Sequence, residues 1–252
     1  MSKQYSSVGW LTAVQLAVLA WVAPAMAQHP AAIPSLSNCQ LERLSEGQIL
    51  VDVAVAHALI GDAIGIINAT PEQVIDIIKD FDNYEDFMDD MVLAEILDTP
   101  EELAKHFKDG EAKQYLAPGG DLEVQLCHGI THMPWPMEDR EWIVRTRGGR
   151  AQIDGMDVIL SQFTYVPGSG NLKDIYGYWL LIPWGSGGSQ TLVRYHLEVD
   201  LGTGLPDCLL KWSAENFLPV KVQGIRDRFA WASDHGMTRR FEGRVGAARS
   251  GR

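Results

Sequence analysis

The residue pattern predicts an α+β fold in which a strongly curved antiparallel sheet wraps around one long C-terminal helix, with short helices after the second strand region. Two observations carry this. Between positions 205 and 232, Leu210, Ala214, Phe217 or Leu218, Val222, Ile225, Phe229 and Ala232 recur every three or four residues, while Lys211, Glu215, Lys221, Arg226 and Asp234 fall mostly elsewhere around the axis. Before that stretch the chain runs as strand-like segments separated by Gly-rich turns. A helix of about 28 residues is about 42 Å long, so its apolar stripe needs a cover of similar length, and the preceding strands are the candidate.

The elements follow in order. Residues 48–58 alternate as a strand, and 59–68 form a second apolar run close enough to make a hairpin or one bent ribbon. Thr70 is an N-cap, Pro71 suits the first helical turn, and Glu72 and Gln73 complement the amino end of a helix carrying Val74, Ile77, Ile78 and Phe81. Asp82 and Asn83 end or loosen it, and a short second helix carries Tyr84, Phe87 and Met88. Strands are expected at 91–98, 111–116, 122–130, 141–147, 157–166, 176–183 and 191–201, with a helical or loop insertion at 100–108. Gly148-Gly149 and the run 185–188 read as turns. Connections this short suit antiparallel neighbours.

Composition fits one compact domain: 46% of the 252 residues are hydrophobic, and no Gly/Ser/Pro-rich linker divides the chain. The expected organisation is a signal peptide at 1–27, a leader at 28–46, the main domain at 47–238 and an Arg-rich flexible tail at 239–252. Lys3 supplies a positive start, residues 8–22 an apolar core, and Ala25-Met26-Ala27 a small-residue cleavage site before Gln28, which predicts a secreted or periplasmic protein cleaved after Ala27. Removing residues 1–27 takes away Lys3 alone among the charges and moves the net charge from -12 to -13. That acidity argues against nucleic acid as a partner. Arg239, Arg240, Arg244, Arg249 and Arg252 among small residues read as a solvated tail, with lipid phosphate as the alternative contact. Export would permit oxidation of cysteine; a Cys39–Cys208 bridge with Cys127 buried and free is one pairing, and spacing does not fix it.

Several segments together resemble the START-like, or SRPBCC, superfamily. The run 67–74 (INATPEQV) followed by 80–87 (DFDNYEDF) is similar to the opening of these proteins, and 133–141 (MPWPMEDRE) resembles their "PFP, two spacers, DR" segment. Residues 178–183 (YWLLIP) look like the penultimate strand, and 200–206 (DLGTGLP) like the "D-x-G-G-x-P" approach to the last helix. The likeness spans Gly47 to Ala232 and departs in the extra Thr203 and in Trp135 where many relatives have Phe. It implies a helix-grip fold enclosing a cavity for a lipid or another hydrophobic molecule, as in lipid carriers, coenzyme-Q-binding proteins and aromatic polyketide cyclases.

Physical reasoning supports a cavity independently. A helix fills a long curved sheet only if side chains grade in size along it, and an apolar void takes an apolar guest at about 0.8 kcal/mol per buried methylene. A filled core is the competing reading of the same residues. On the helix, Leu210, Ala214, Phe217, Val222, Ile225 and Phe229 should face inward. On the last strand Val193, Tyr195, Leu197 and Val199 share a face opposite Arg194, His196 and Glu198. Trp179 and Leu181 lie on one side of their strand and Tyr176, Tyr178 and Leu180 on the other, with the inward side left open. Trp135 between two prolines is placed at the entrance. Arg140 is assigned a structural ion pair, with Asp139 or a residue of another strand, and Arg145 is kept as a ligand contact.

Catalytic signatures are sparse. His128 and His132 stand four apart on a strand end and loop with no third ligand at a recognised spacing, and Asp80, Asp82, Asn83, Glu85 and Asp86 lack the Gly and Glu of a calcium loop, so they read as a solvated helix end. No G-x-S-x-G, Walker A or G-x-G-x-x-G motif occurs. The sequence therefore predicts no metal and no cofactor, and an exported binding or transfer protein for a lipid or other hydrophobic small molecule, with transient membrane contact. Two alternatives stand beside it. One is a cyclase- or hydroxylase-like enzyme using Tyr195, Arg145 or His128; the other is an interaction module with a filled core.

Overall fold

A computed structural model of the chain describes residues 29–235, apart from 57, 109, 117–122, 136 and 203. The expected signal peptide and Arg-rich tail thus lie outside the described residues. Eight strands form one antiparallel sheet: β1 (Leu50–Val55), β2 (Leu59–Ile67), β3 (Met91–Ile96), β4 (Glu123–Thr131), β5 (Arg140–Ile153), β6 (Met156–Tyr165), β7 (Asp174–Trp184) and β8 (Gln190–Asp200). Their order across the sheet is β1-β2-β8-β7-β6-β5-β4-β3. The N-terminal hairpin therefore joins the last strand, in a register that sets Ala63 against Tyr195 and Gly65 against Val193. The helices are α1 (Asn38–Ser45), α2 (Pro71–Lys79), α3 (Pro100–His106) and α4 (Asp207–His235), with a 3₁₀ turn at Phe81–Asp86 between α2 and β3.

Each short helix starts on a capping box, with Ser37 and Gln40, Thr70 and Gln73, and Thr99 and Glu102 as the reciprocal pairs. Pro opens both α2 and α3, where its missing N–H would have had no helical acceptor. The 29-residue α4 lies in the grip of the sheet, its Ala214, Leu218, Val222 and Ile225 packed in one core with β2, β7, β8, α2 and the 3₁₀ turn. Gly224 lets α4 approach closely, since a Cβ there would sit 2.6 Å from the carbonyl oxygen of Phe87. Among the described residues no helix is long and apolar enough to cross a membrane.

The other face of the sheet is also covered. Ala31, Ile33 and Leu36 of the leader and Leu44 of α1 pack on Tyr178, Leu180 and Leu192, while α3 and the following turn lay Leu103, Phe107 and Leu116 over Leu97, Leu126 and Ile143. Burial on both faces explains why β7 reads as a nearly continuous apolar run. Trp179 and Leu181 face α4, and Tyr176, Tyr178 and Leu180 face the leader.

Four expectations are corrected. The segment expected as a strand at 111–116 is a 3₁₀ turn, Glu111–Gln114, entered through Gly110 at φ 84°; β4 already pairs with β3 and β5, which leaves it no open edge there. Gly148-Gly149 is no turn but lies inside the 14-residue β5, and the chain reverses at Asp154-Gly155, both at positive φ, between paired Ile153 and Met156. Cys39 and Cys208 are unbonded and exposed, on helices that pack on opposite faces of the sheet, while Cys127 is buried and free. Finally, the acidic run after α2 is no solvated helix end. Asp82 and Glu85 accept the backbone N–H groups of Ile96 and Ala94 on the edge strand β3, and Asp80 pairs with Arg228 of α4.

Candidate functional site

Two hollows lie between the sheet and α4. The first, about 100 Å³, is walled by Phe81, Tyr84, Cys127, Trp142, Val144, Phe163, Trp179 and Tyr195, with Lys221 of α4 closing one side. The second, about 60 Å³, is walled by Leu59, Met133, Arg140, Leu172, Leu197, Val199, Leu210, Ala214 and Phe217. Trp142 and Ile175 belong to both walls and so form the partition. Trp142 is held there by its indole N–H, which donates to Thr131 Oγ1 at 3.1 Å, and by Gly129 on the neighbouring strand, where a Cβ would stand 2.5 Å from the ring. A larger cleft, about 460 Å³, lies at the hairpin end of β7 and β8, between α1 and the last turns of α4, and is lined by Asn68, Gln190 and Arg226 as well as apolar groups.

Strand parity builds the inward face. Arg140, Trp142, Val144 and Thr146 alternate along β5, and Val193, Tyr195, Leu197 and Val199 along β8, so each set projects toward α4. Tyr195 packs with Trp179 at 4.4 Å between ring centroids and stacks with Phe163 at 6.1 Å. Burial pushes the Tyr195 phenol upward, as it does that of Tyr84, whose hydroxyl donates to the carbonyl of Ile78 at 2.7 Å. The Cys127 thiol is pushed up to about 12, chiefly by burial. At neutral pH it is a thiol, not a thiolate nucleophile.

Two cations reach this apolar interior. Lys221 is paired with Asp90 and lies 4.4 Å above the centre of the Phe217 ring; burial lowers its ammonium pKa against the opposing pull of Asp90. Arg140, 7% exposed, lines the second hollow, and its buried Nε has no hydrogen-bond partner. The ion pair expected for Arg140 with Asp139 is absent. Asp139 instead accepts from the Met133 N–H and contacts His132 Nδ1 at 2.8 Å, pinning the loop after β4. Among the described residues no carboxylate pairs with Arg140. At one end of the first hollow, Lys79 and Glu123 form an ion pair in the wall between α2 and β4.

The twelve residues expected to contact a ligand divide by position. Tyr195 and Trp179 line the first hollow, and Leu197, Leu210, Ala214 and Phe217 the second. Val193, Val222 and Ile225 face inward but sit in solid core. Phe229 belongs to the cleft beside α1. Arg145 is a correction: the parity that turns Val144 and Thr146 inward turns Arg145 to the outer face. Trp135 is 90% exposed, in the loop whose Met133 lines the second hollow, and is not itself part of its wall. The set proposed for enzyme chemistry is split as well, since His128 lies on the outer face with Glu95 and Glu141 while Tyr195 faces inward.

Sequence reasoning missed Lys221 and expected for Arg140 an ion pair that the described residues do not supply, yet the signals for their inward placement were present. Lys221 stands seven residues from Ala214 and four from Ile225, on the inward stripe, and Arg140 shares the parity of Trp142 and Val144.

No family model matches the chain, and no curated protein matches it. Solved structures do. A STAR-related lipid transfer protein fragment from Xanthomonas axonopodis superposes with a TM-score of 0.55 at 17% identity, over 72% of this chain and 93% of that one. Human StAR-related lipid transfer protein 5 does so with a TM-score of 0.52 at 14% identity, over 77% of this chain and 92% of that one. With its eight-stranded curved antiparallel sheet closed on a long C-terminal helix, the chain has the helix-grip α+β fold of START-like proteins.

Proposed function

We propose that the chain binds a hydrophobic small molecule reversibly between the sheet and α4 and passes it between surfaces. The observation that carries this is the pair of apolar hollows divided by Trp142 and Ile175, with Arg140 unpaired in the second. Neither hollow reaches the roughly 300 Å³ of ordinary small-molecule pockets. On this reading, loading swings the Trp142 ring aside and joins the hollows. An Arg buried among Leu197, Val199 and Phe217 favours a guest with a hydrogen-bond acceptor or acid at one end, because an unmet guanidinium donor is costly in apolar surroundings.

The carrier reading is favoured over the cyclase reading by placement: of the three groups weighed for catalysis, Arg145 and His128 lie on the other side of the sheet from Tyr195. Two solved structures of the same fold bear lipid-transfer names, which agrees with a hydrophobic guest. Exposed Trp135 and Trp212, beside hollow-lining Met133 and Ser213, supply amphipathic rings for transient membrane contact. Secretion or periplasmic residence rests on Lys3, the apolar run 8–22 and Ala25-Met26-Ala27.

Mass spectrometry of solvent extracts from the purified chain tests the proposal. A hydrophobic compound in about equimolar amount is expected from the wild type and lost from a folded Phe217→Asp variant. No extractable compound, together with no uptake of added fatty acid, would favour the interaction module; chemical conversion of the added compound would favour the enzyme.

A further inference from the structure

A second cluster of chemically capable side chains lies on the outer face, away from the hollows. Glu95 on β3, His106 at the end of α3 and His128 on β4 bring one carboxylate oxygen and two imidazole nitrogens within 4.8 Å of one another. His128 Nδ1 is 2.7 Å and His106 Nε2 is 3.8 Å from the same atom, Glu95 Oε1, and the two rings stand 4.4 Å apart between centroids. Glu95 and His128 are register partners across β3 and β4, so the sheet fixes two of the three groups. The third is placed by α3, whose Leu103, with Phe107 just beyond, packs against Leu97, Leu126 and Ile143.

The two carboxylates around His128 call for positive charge there, which a second ring proton or a metal ion supplies. A neutral imidazole has one N–H, yet His128 is flanked by two carboxylates, Glu95 at Nδ1 and Glu141 at 3.0 Å from Nε2. One of those contacts then sets a lone pair against a carboxylate oxygen unless a positive charge intervenes. His196 is flanked in the same way by Asp62 and Glu198, but there Arg194 grips Asp62 at 2.6 and 3.0 Å and His29 meets Glu198 at 2.8 Å. Among the described residues the ion-pair partners of Glu95 and Glu141 are the imidazoles alone.

We propose that Glu95, His106 and His128 form a site for a first-row divalent transition metal, with Zn²⁺ as the best match. Two imidazoles and a carboxylate are a borderline-soft set suited to zinc, and three protein ligands leave one position to water. Metal at His128 Nδ1 leaves Nε2–H to donate to Glu141, the carboxylate–histidine–metal arrangement that fixes tautomer and ring angle. Tetrahedral zinc with bonds of about 2.1 Å needs ligand atoms about 3.4 Å apart, so the Glu95 carboxylate turns to open its 2.7 Å contact with His128 while half-buried His106 moves in from 3.8 Å. Bound metal would staple α3 to the sheet.

The test is titration of the chelator-stripped full chain with Zn²⁺ against a chromophoric competitor, with Co²⁺ absorption as a second readout. One ion per chain is expected, with a rise in Tm. His106→Ala and Glu95→Gln should each weaken binding at least tenfold, and Glu141→Gln by about 10–100-fold as a positioning residue. His29→Ala should leave affinity unchanged. Failure of the wild type to bind, or binding that survives both His106→Ala and Glu95→Gln, overturns the proposal, as does binding lost on His29→Ala alone. The hydrophobic-ligand assay is independent of either result.

Discussion

The two faces of the sheet are packed by opposite rules. On the outer face, leader, α1 and α3 cover the sheet around a cleft of about 290 Å³ beside Leu36 and Ile64, and the charged groups of β2 and β8 form a connected chain from Arg194 through Asp62, His196 and Glu198 to His29. On the inner face α4 leaves two hollows and presents Arg140 with an unmet donor. The inner face thus holds apolar volume between the sheet and α4, where a guest would sit.

The largest effect expected from breaking that contrast is at Asp90. Asp90→Ala leaves the Lys221 ammonium buried without its partner and should cost about 3–5 kcal/mol by urea denaturation. A smaller value would place water beside Lys221 in the first hollow. Next come paired core changes. Leu180→Ala in the filled outer face should cost about 2–5 kcal/mol. Ala214→Leu, which adds atoms beside a hollow, should fall short of the roughly 1–3 kcal/mol usual for overpacking. Equal penalties at the two sites would erase the distinction.

Acid sensitivity should belong to the outer face. Burial pushes Asp62 and Glu198 up, but hydrogen bonds from His196 and Arg194 to Asp62, and from His29 and His196 to Glu198, overcome it and hold both below their ordinary 3.8 and 4.5. Depressed carboxylates lend stability that is complete above those ordinary values and is lost as pH falls through the folded ones. Thermal melts should therefore decline below about pH 4.5, and Asp62→Asn should flatten part of that decline. The smallest effect is expected at the exposed Lys79–Glu123 pair, where Lys79→Ala should change stability by less than about 1 kcal/mol while speeding ligand exchange, if that wall of the first hollow opens.

Much of the architecture was legible before the structure, for local reasons. The Thr70-Pro71 start of α2, the period of α4 and the alternation of β8 are set by neighbours in sequence. The turn was misplaced because Gly148-Gly149 attracted attention while Asp154-Gly155, a stronger two-residue hairpin signal, lay six residues on. What stayed hidden was long-range. The direction of β7 could not be read because both faces are buried, and the fates of Asp80 and Asp90 depended on cations of α4 more than 100 positions away. For the site, parity and helical period placed six of the twelve expected residues in the two walls. Whether an inward residue meets a hollow or solid core, as Phe217 and Val222 do respectively, is decided by packing across the sheet.

Titration of the full chain with a fluorescent fatty-acid analogue tests the central claim most directly, comparing wild type with Ala214→Leu. The account predicts saturable binding of one probe per wild-type chain, and at least tenfold weaker binding to Ala214→Leu with unchanged circular dichroism, a difference of about 1.4 kcal/mol. Equal binding by the two proteins would contradict it, because the probe would then lie somewhere other than between the sheet and α4.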